Sequence, residues 1–261
     1  MLPARIAELL DPFLGAATTP SPRDSEPGQR PGEEPAFLSP AQLQLISTYI
    51  DILLRWNARI NLTAIRDPEQ IVTRHFGESL FAARHLFPRA PAVCPVSSAV
   101  KDFDVDVAND QRPTANHVRV ADLGSGAGFP GLPIKLWAPN ISLTLIESNH
   151  KKAAFLREVT RALTLTDVNI QTARAEALAG IIYDVVTLRA VERFETILPT
   201  AARLVAPRGR LALLIGSAQQ GRARAILPAF SWYNPIPIPG SQSRIMIVGR
   251  SSASPHNAAS T

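Results

Sequence analysis

Three closely spaced glycines follow an apolar segment near the middle of the chain. The run reads Val118-Arg-Val-Ala-Asp-Leu-Gly-Ser-Gly-Ala-Gly-Phe-Pro-Gly131. Glycine lets the backbone of such a turn approach a ligand closely, and the first amides of the following helix would face that ligand. Glu147 ends the next apolar segment, about 20 residues on, where a carboxylate can accept hydrogen bonds from ribose hydroxyls. The pattern predicts a nucleotide-cofactor site that includes Gly124, Gly126, Gly128 and Glu147.

The spacing of the glycines separates two classes of cofactor. The dinucleotide fingerprint is Gly-x-Gly-x-x-Gly, whereas this loop reads Gly-x-Gly-x-Gly and has Phe at position 129. No Gly-Lys-Ser/Thr follows, so a P-loop is excluded. Asp122 at the end of the preceding strand is unfavourable beside a pyrophosphate, but it suits a cationic amino group and a sulfonium. The loop therefore favours S-adenosylmethionine, and hence a methyltransferase, over NAD and an oxidoreductase.

The loop needs a strand to deliver it and a helix to follow it, and the C-terminal half of the chain supplies both. A helix is expected over 148–164, and strands are predicted over 118–122, 141–147, 168–172, 183–188, 210–216 and 244–249. Alternating strands and helices are typical of a parallel, doubly wound α/β sheet. Ligands of such sheets lie at the carboxyl ends of the strands.

Helical segments also precede the sheet. Residues 3–14 are predicted to form a short amphipathic helix, and 68–87 a longer helical stretch. Ser39-Pro-Ala-Gln42 combines an N-cap, a proline at the first helical position and a capping box. The predicted regions are a short helix plus disordered linker (1–36), a helical N-terminal subdomain (37–88), a flexible insertion (89–117), a methyltransferase domain (118–250) and a disordered tail (251–261).

Composition and charge narrow the classes of function. The net charge is +5, and residues 1–36 hold three arginines and six acidic residues, so the remainder of the chain is the more basic part. A basic body is expected of a protein that meets phosphates, although a solvated basic surface explains it equally well. Cys94 is the only cysteine, which fits a cytoplasmic location. The five histidines are scattered and no apolar stretch is long enough to span a bilayer, so neither a metal nor a membrane is expected.

Further motifs make the chain resemble one known family. They are Asn61-Leu-Thr63, Arg74-His-Phe-Gly-Glu-Ser79, Asp122-Leu-Gly-Ser-Gly-Ala-Gly-Phe-Pro-Gly131, Arg174-Ala-Glu176 and Arg189-Ala190. With these residues the chain resembles the glucose-inhibited division protein B family, bacterial methyltransferases that modify guanine N7 in small-subunit (16S) ribosomal RNA. The resemblance covers 37–88 and 118–249.

The resemblance implies a fold, a cofactor site and a partner. The fold would be a class I S-adenosylmethionine-dependent methyltransferase, a Rossmann-like doubly wound sheet with a helical N-terminal extension. Residues implied to bind the cofactor are Gly124, Gly126, Gly128, Phe129, Glu147, Ala175, Glu176 and Arg189. Arg189 would also be catalytic, lining the cofactor and substrate pocket. Arg174 and Arg244 are predicted to contact RNA, since arginine pairs with phosphate and with guanine edges. The implied partner is 16S ribosomal RNA or the small ribosomal subunit.

The chemistry of guanine N7 agrees with what the sequence contains. N7 already offers a lone pair, so its methylation depends on positioning and electrostatics rather than on removal of a proton. Three departures from the family pattern stand out. Glu78 replaces an aspartate, and Ile215 replaces the lysine of Leu-Lys-Gly; the segments 1–36 and about 88–117 are also foreign to the compact family pattern. Two alternatives stay open. One is a methyltransferase for a small molecule or a protein, and the other is a non-catalytic RNA-binding relative, which Ile215 favours.

Overall fold

The structure of the protein, a computed structural model, describes residues 1–15, 38–88, 118–178, 180–189 and 194–252. The predicted insertion over 89–117 lies outside these residues, and so do most of the predicted linker before residue 37 and most of the predicted C-terminal tail.

The N-terminal part is helical, as the sequence predicts. Helix α1 spans Pro3–Leu14 and α2 spans Pro40–Asn57. The predicted capping box is present: the Gln42 amide donates to Ser39 Oγ at 3.2 Å and the Ser39 amide donates to Gln42 Oε1 at 2.9 Å. The stretch predicted over 68–87 is divided into α3 (Pro68–Gln70), a π-helix (Ile71–Gly77) and α4 (Glu78–Leu86). Single π-helical turns often lie at functional sites.

The remaining elements form an α/β sheet. Its strands are β1 (Arg119–Leu123), β2 (Ser142–Ile146), β3 (Val168–Gln171), β4 (Tyr183–Arg189), β5 (Val205–Gly216), β6 (Ser231–Trp232), β7 (Ile236–Pro237) and β8 (Arg244–Arg250). The helices between them are α5 (Gly131–Trp137), α6 (His150–Ala162), α7 (Phe194–Arg203) and α8 (Gln220–Ile226).

The strand order is β3-β2-β1-β4-β5-β8-β6, with β7 also paired to β8. Strands β1 to β5 are parallel, and the order reverses direction between β1 and β4, as in a Rossmann-like doubly wound sheet. The prediction of a parallel, doubly wound sheet did not include the direction of β8, which runs antiparallel to β5. The chain returns from α8 through the short strands β6 and β7, and it therefore enters β8 from the carboxyl edge of β5.

The sheet separates two hydrophobic clusters. The first contains one face of the sheet together with α1, α2, the π-helix and α4, so the helical N-terminal part and the sheet share one core. The second lies on the opposite face, beneath α7 and α8. Alternate residues of a strand enter opposite clusters: Leu214 packs in the first and Ile215 in the second.

Candidate cofactor and substrate site

The glycine loop lies at the carboxyl end of β1, and its glycines have different surroundings. Gly124, Gly126 and Gly128 have φ values of +70°, +54° and +86°, a region that L side chains rarely adopt. A Cβ at Gly124 would meet nothing within 4 Å, whereas one at Gly128 would lie 2.3 Å from the Tyr49 hydroxyl. The space above Gly124 is therefore open to a ligand, and Gly128 is required by the packing of Tyr49 against the loop.

Glu147 follows β2 and connects the loop to the start of α6. Its Oε2 accepts a 2.9 Å hydrogen bond from the Gly126 amide, and its Oε1 accepts one of 2.8 Å from the Asn149 amide. A carboxylate has about four acceptor positions, so the two amides leave capacity for ribose hydroxyls. This buried carboxylate beside an open glycine turn fits the ribose of S-adenosylmethionine.

Asp122 lies beneath the loop rather than facing a ligand. Its Oδ1 accepts a hydrogen bond from the Thr187 hydroxyl at 2.9 Å, and its Oδ2 accepts one from the Gly131 amide at 3.1 Å. Burial raises the pKa of Asp122 to about 6. The interpretation that Asp122 faces a cationic group of the cofactor is therefore corrected, because its carboxylate is enclosed and holds the turn from below.

Phe129 joins the loop to the helical N-terminal part. Its buried ring stacks on Tyr49, with centroids 5.4 Å apart and planes at 4°, and on His75 at 4.8 Å. The Tyr49 hydroxyl donates to the Ala127 carbonyl inside the same loop. Sequence reasoning missed Tyr49, although a tyrosine on the apolar face of α2 signals a buried hydroxyl that needs a partner.

A chain of hydrogen bonds leads from the end of α2 to the end of β4. The Asn57 side chain accepts from the Leu62 and Thr63 amides and donates to the Thr63 carbonyl, at 2.9, 3.0 and 2.9 Å. These bonds hold the Asn-Leu-Thr turn in place. The Thr63 hydroxyl lies 2.7 Å from His75 Nε2, and Arg189 Nη2 lies 2.9 Å from His75 Nδ1.

His75 is neutral in this arrangement. Burial, followed by the charges of Arg189 and other arginines, lowers the pKa of His75 to about 3. Its Nδ1 therefore accepts from Arg189, and its Nε2 carries the proton and donates to Thr63. Both ring nitrogens of His75 are therefore occupied by hydrogen bonds within the protein.

Three arginines converge on Glu78, whose carboxylate is buried. Arg74 Nε lies 3.5 Å from Glu78 Oε1 and Arg189 Nη2 lies 3.3 Å from Glu78 Oε2, while Arg244 Nη1 also contacts Oε1. Burial raises the pKa of Glu78, and the guanidiniums oppose that rise. Arg189 also lies over Phe129, with its guanidinium carbon 5.9 Å from the ring centroid. Arg189 thus borders both the cofactor loop and this cluster, which we call the arginine cluster (Arg74, Glu78, Arg189 and Arg244).

The other predicted site residues lie on the opposite side of the loop. Ala175 is buried and Glu176 is exposed in a 3₁₀ turn after β3, the strand that neighbours β2, which Glu147 follows. Arg174 is exposed at the start of that turn. The sheet order places β2, β1, β4 and β5 between β3 and β8. The structure therefore brings Arg244 to Arg189 and leaves Arg174 at a different part of the carboxyl edge.

Although Ile215 replaces the lysine of the family pattern, this edge of the sheet still has a cation, Arg244. The Ile215 side chain is buried in the second hydrophobic cluster. The next residue, Gly216, is paired with Arg244 across β5 and β8.

Comparison with known proteins decides the family. The family model described as GidB, rRNA small subunit methyltransferase G, matches residues 42–98 and 106–226. The chain belongs to this family. The prediction of the family, which the model describes as an rRNA small subunit methyltransferase, is thereby confirmed.

Individual relatives agree with this assignment. The protein named ribosomal RNA small subunit methyltransferase G in Xylella fastidiosa strain M23 is 38% identical to this chain over 170 residues. The alignment covers 65% of this chain and 66% of the relative. The Chloroflexus aggregans protein of the same name is 34% identical over 223 residues, covering 81% of this chain and 82% of the relative. The alignment with the Xylella protein thus spans just under two thirds of that relative, and the alignment with the Chloroflexus protein more.

Among solved structures, the TYW2 protein of P. horikoshii in complex with MeSAdo aligns with a TM-score of 0.46 at 16% identity, covering 53% of this chain and 58% of that one.

Among the described residues, none of the helices combines the length and apolar composition that crossing a bilayer requires. The same residues contain no group of three or more His, Cys, Asp or Glu side chains that could hold a metal ion.

Proposed function

We propose that this protein transfers the methyl group of S-adenosylmethionine to N7 of a guanine in 16S ribosomal RNA. The observation that carries the proposal is the engagement of each acid and base that borders the loop within the described part of the chain. Asp122 is enclosed beneath the turn, and His75 is neutral with both nitrogens bonded. Glu147 accepts from two amides, and its remaining acceptor positions are assigned to the ribose. A hydroxyl or an exocyclic amine would need a base to remove a proton, whereas guanine N7 does not.

Each part of the site has a proposed task. S-adenosylmethionine, when bound, supplies a methyl group on a sulfonium. Gly124 and Gly126 leave room for it, Glu147 accepts hydrogen bonds from its ribose, and the turn of Ala175 and Glu176 flanks its adenine. Gly128 and Phe129 support the loop through their packing against Tyr49.

Arg189 is proposed as the catalytic cation. Its Nη2 makes the contacts to Arg74, His75 and Glu78. Within the described residues, its Nε and Nη1 have no such contact and can donate to the edge of a guanine. An arginine in a partly enclosed site is an effective donor to a purine edge. Arg189 would therefore hold the base while N7 faces the cofactor loop.

Ribosomal RNA is proposed as the partner because the relatives carry that substrate in their names. Arg174 and Arg244 are proposed to contact it from two parts of the carboxyl edge. An enzyme of this kind works where ribosomes assemble, so we also propose a cytoplasmic location.

The test mixes the protein and labelled S-adenosylmethionine with small ribosomal subunits, with naked 16S RNA, and with a protein and small-molecule extract free of RNA. We expect label in RNA, mapped to N7-methylguanine, and its loss with Arg189→Met. Label in the RNA-free fraction alone would support a small-molecule or protein substrate. Cofactor binding without transfer to any acceptor would support a non-catalytic relative.

A further inference from the structure

The arginine cluster holds more positive charge than it can neutralise by itself. Arg74, Arg189 and Arg244 surround one carboxylate, that of Glu78. His75 adjoins the cluster but is neutral. We propose that Arg74 and Arg244 together bind one backbone phosphate of the RNA substrate. This proposal rests on the proposed function and adds a specific contact to it.

The two carboxylate oxygens of Glu78 contact different arginines. Its Oε2 pairs with Arg189, which His75 also holds. Its Oε1 contacts both Arg74 and Arg244, so these two guanidiniums converge on a single oxygen atom. Two guanidiniums that share one carboxylate oxygen lie close enough to share the oxygens of one phosphate as well.

Arg74 and Arg244 are both more exposed to solvent than Arg189. The side chains of Arg74 and Arg244 are 50% and 22% exposed, and that of Arg189 is 11% exposed. Among the described residues, the Arg244 side chain has one further partner, the Ser241 hydroxyl, which lies 3.1 Å from Nε. The two Nη groups of Arg74 and Nη2 of Arg244 have none there. These N–H groups can donate hydrogen bonds to an anion without breaking a contact that the structure shows.

The site lies where a phosphate would assist the reaction. Arg74 belongs to the π-helix, and Arg244 is the first residue of β8. The same cluster contains Arg189, which borders the cofactor loop. A phosphate bound across Arg74 and Arg244 would connect the helical part to the sheet. A nucleotide held in this way has its base within reach of the site, because base and phosphate are joined through one sugar.

The experiment measures the affinity of the full chain for 16S RNA over a series of salt concentrations. Arg74→Gln and the double variant with Arg244→Gln are compared with wild type. The matched control is Arg119→Gln, which removes an arginine of similar exposure that pairs with Asp184 at the starts of β1 and β4, the edge of the sheet opposite the site. Log K falls as log salt rises, and each phosphate contact that a variant loses makes this negative slope shallower by about 0.7 to 0.9.

For Arg74→Gln we expect a slope smaller by about one contact and an affinity roughly tenfold lower at moderate salt. The double variant should lose no more slope than a single contact, because one phosphate is shared. The control should keep the wild-type slope. Cofactor affinity should stay unchanged in every variant, which also shows that each is folded, and Arg74→Lys should retain most of the slope.

A wild-type slope in folded Arg74→Gln overturns the proposal while the methylation assay on wild type leaves the proposed function intact. Two separate losses of slope in the double variant overturn the sharing of one phosphate. Inorganic phosphate forms a further arm. If it binds wild type but not Arg74→Gln while the RNA slope is unaffected, the site takes free phosphate and the proposal fails. If wild type neither binds nor methylates the RNA, the proposed function fails, and this proposal fails with it.

Discussion

The glycine loop and the arginine cluster lie side by side at the carboxyl edge of the sheet, but they are built in opposite ways. The loop comes from one continuous strand-turn-helix segment, and backbone amides of Gly126 and Gly131 make its principal contacts to carboxylates. The cluster comes from side chains of the π-helix, α4, β4 and β8. A contiguous site can be recognised as a short motif, whereas a convergent site needs the tertiary fold to assemble it.

The two regions also contain buried ionisable groups that titrate with opposite consequences. Asp122 under the loop has a pKa raised to about 6, so its contribution to stability is lost as pH rises through that range. His75 beside the cluster has a pKa lowered to about 3, so its contribution is lost as pH falls below its unfolded value of about 6.5.

The largest expected effect is a difference in stability between substitutions at Gly128 and at Gly124. Gly128→Ala should destabilise the protein by about 3 kcal/mol or more, because the new Cβ would meet the Tyr49 hydroxyl at a positive φ. Gly124→Ala is the matched variant. It should cost only about 1 kcal/mol of stability, since only its φ is strained, but it should weaken cofactor binding. Chemical denaturation and cofactor titration measure both effects, and equal losses of stability would contradict the distinction.

Glu147→Ala should weaken S-adenosylmethionine binding by about 1–3 kcal/mol, because it removes charged acceptors for ribose hydroxyls. Since the same change frees the Gly126 and Asn149 amides, Glu147→Gln serves as the control that keeps one acceptor. Calorimetric titration of the cofactor measures the difference. An unchanged affinity in Glu147→Ala would refute the assignment of Glu147 to the ribose.

The pH dependence of stability should show His75 directly. Relative to His75→Gln, wild type should lose about 2 kcal/mol of stability between about pH 7.5 and about pH 5. The sign follows from its lowered pKa of about 3: the unfolded chain takes up a proton that the folded imidazole does not. Urea denaturation of both proteins across this range measures the difference, in which the opposite contribution of Asp122 cancels. A constant difference would show that His75 is not enclosed as described.

The smallest effect tests the hydrogen-bond chain to Arg189. Thr63→Val keeps the shape of the side chain but removes the hydroxyl that bonds His75 Nε2. We expect methyl transfer to slow by about fivefold, equivalent to about 1 kcal/mol, with cofactor affinity unchanged. Thr48→Val, at an exposed hydroxyl bonded to the Gln44 carbonyl, should leave the rate unaltered. A normal rate in Thr63→Val would show that Arg189 is held without this chain.

Much of the fold could be predicted because its signals are local. The capping box at Ser39 and Gln42, the strand that contains Asp122 and the turn that contains Gly124 each depend on neighbours a few residues away. The reversed direction of β8 was missed because apolar alternation indicates a strand but says nothing about its orientation. The π-helix was missed for a similar reason, since its apolar pattern resembles that of an ordinary helix.

By itself, the sequence determined the cofactor loop, its acidic partner Glu147 and the alternation of strands and helices that places them at one edge. Only the tertiary structure decided that Gly128 serves Tyr49, that Asp122 lies beneath the loop, and that Arg74 and Arg244 meet on Glu78. The physical reason is the range of the interactions. Turns and caps are set by backbone geometry within a few residues, whereas burial and ion pairing depend on which distant side chains the packed core brings together.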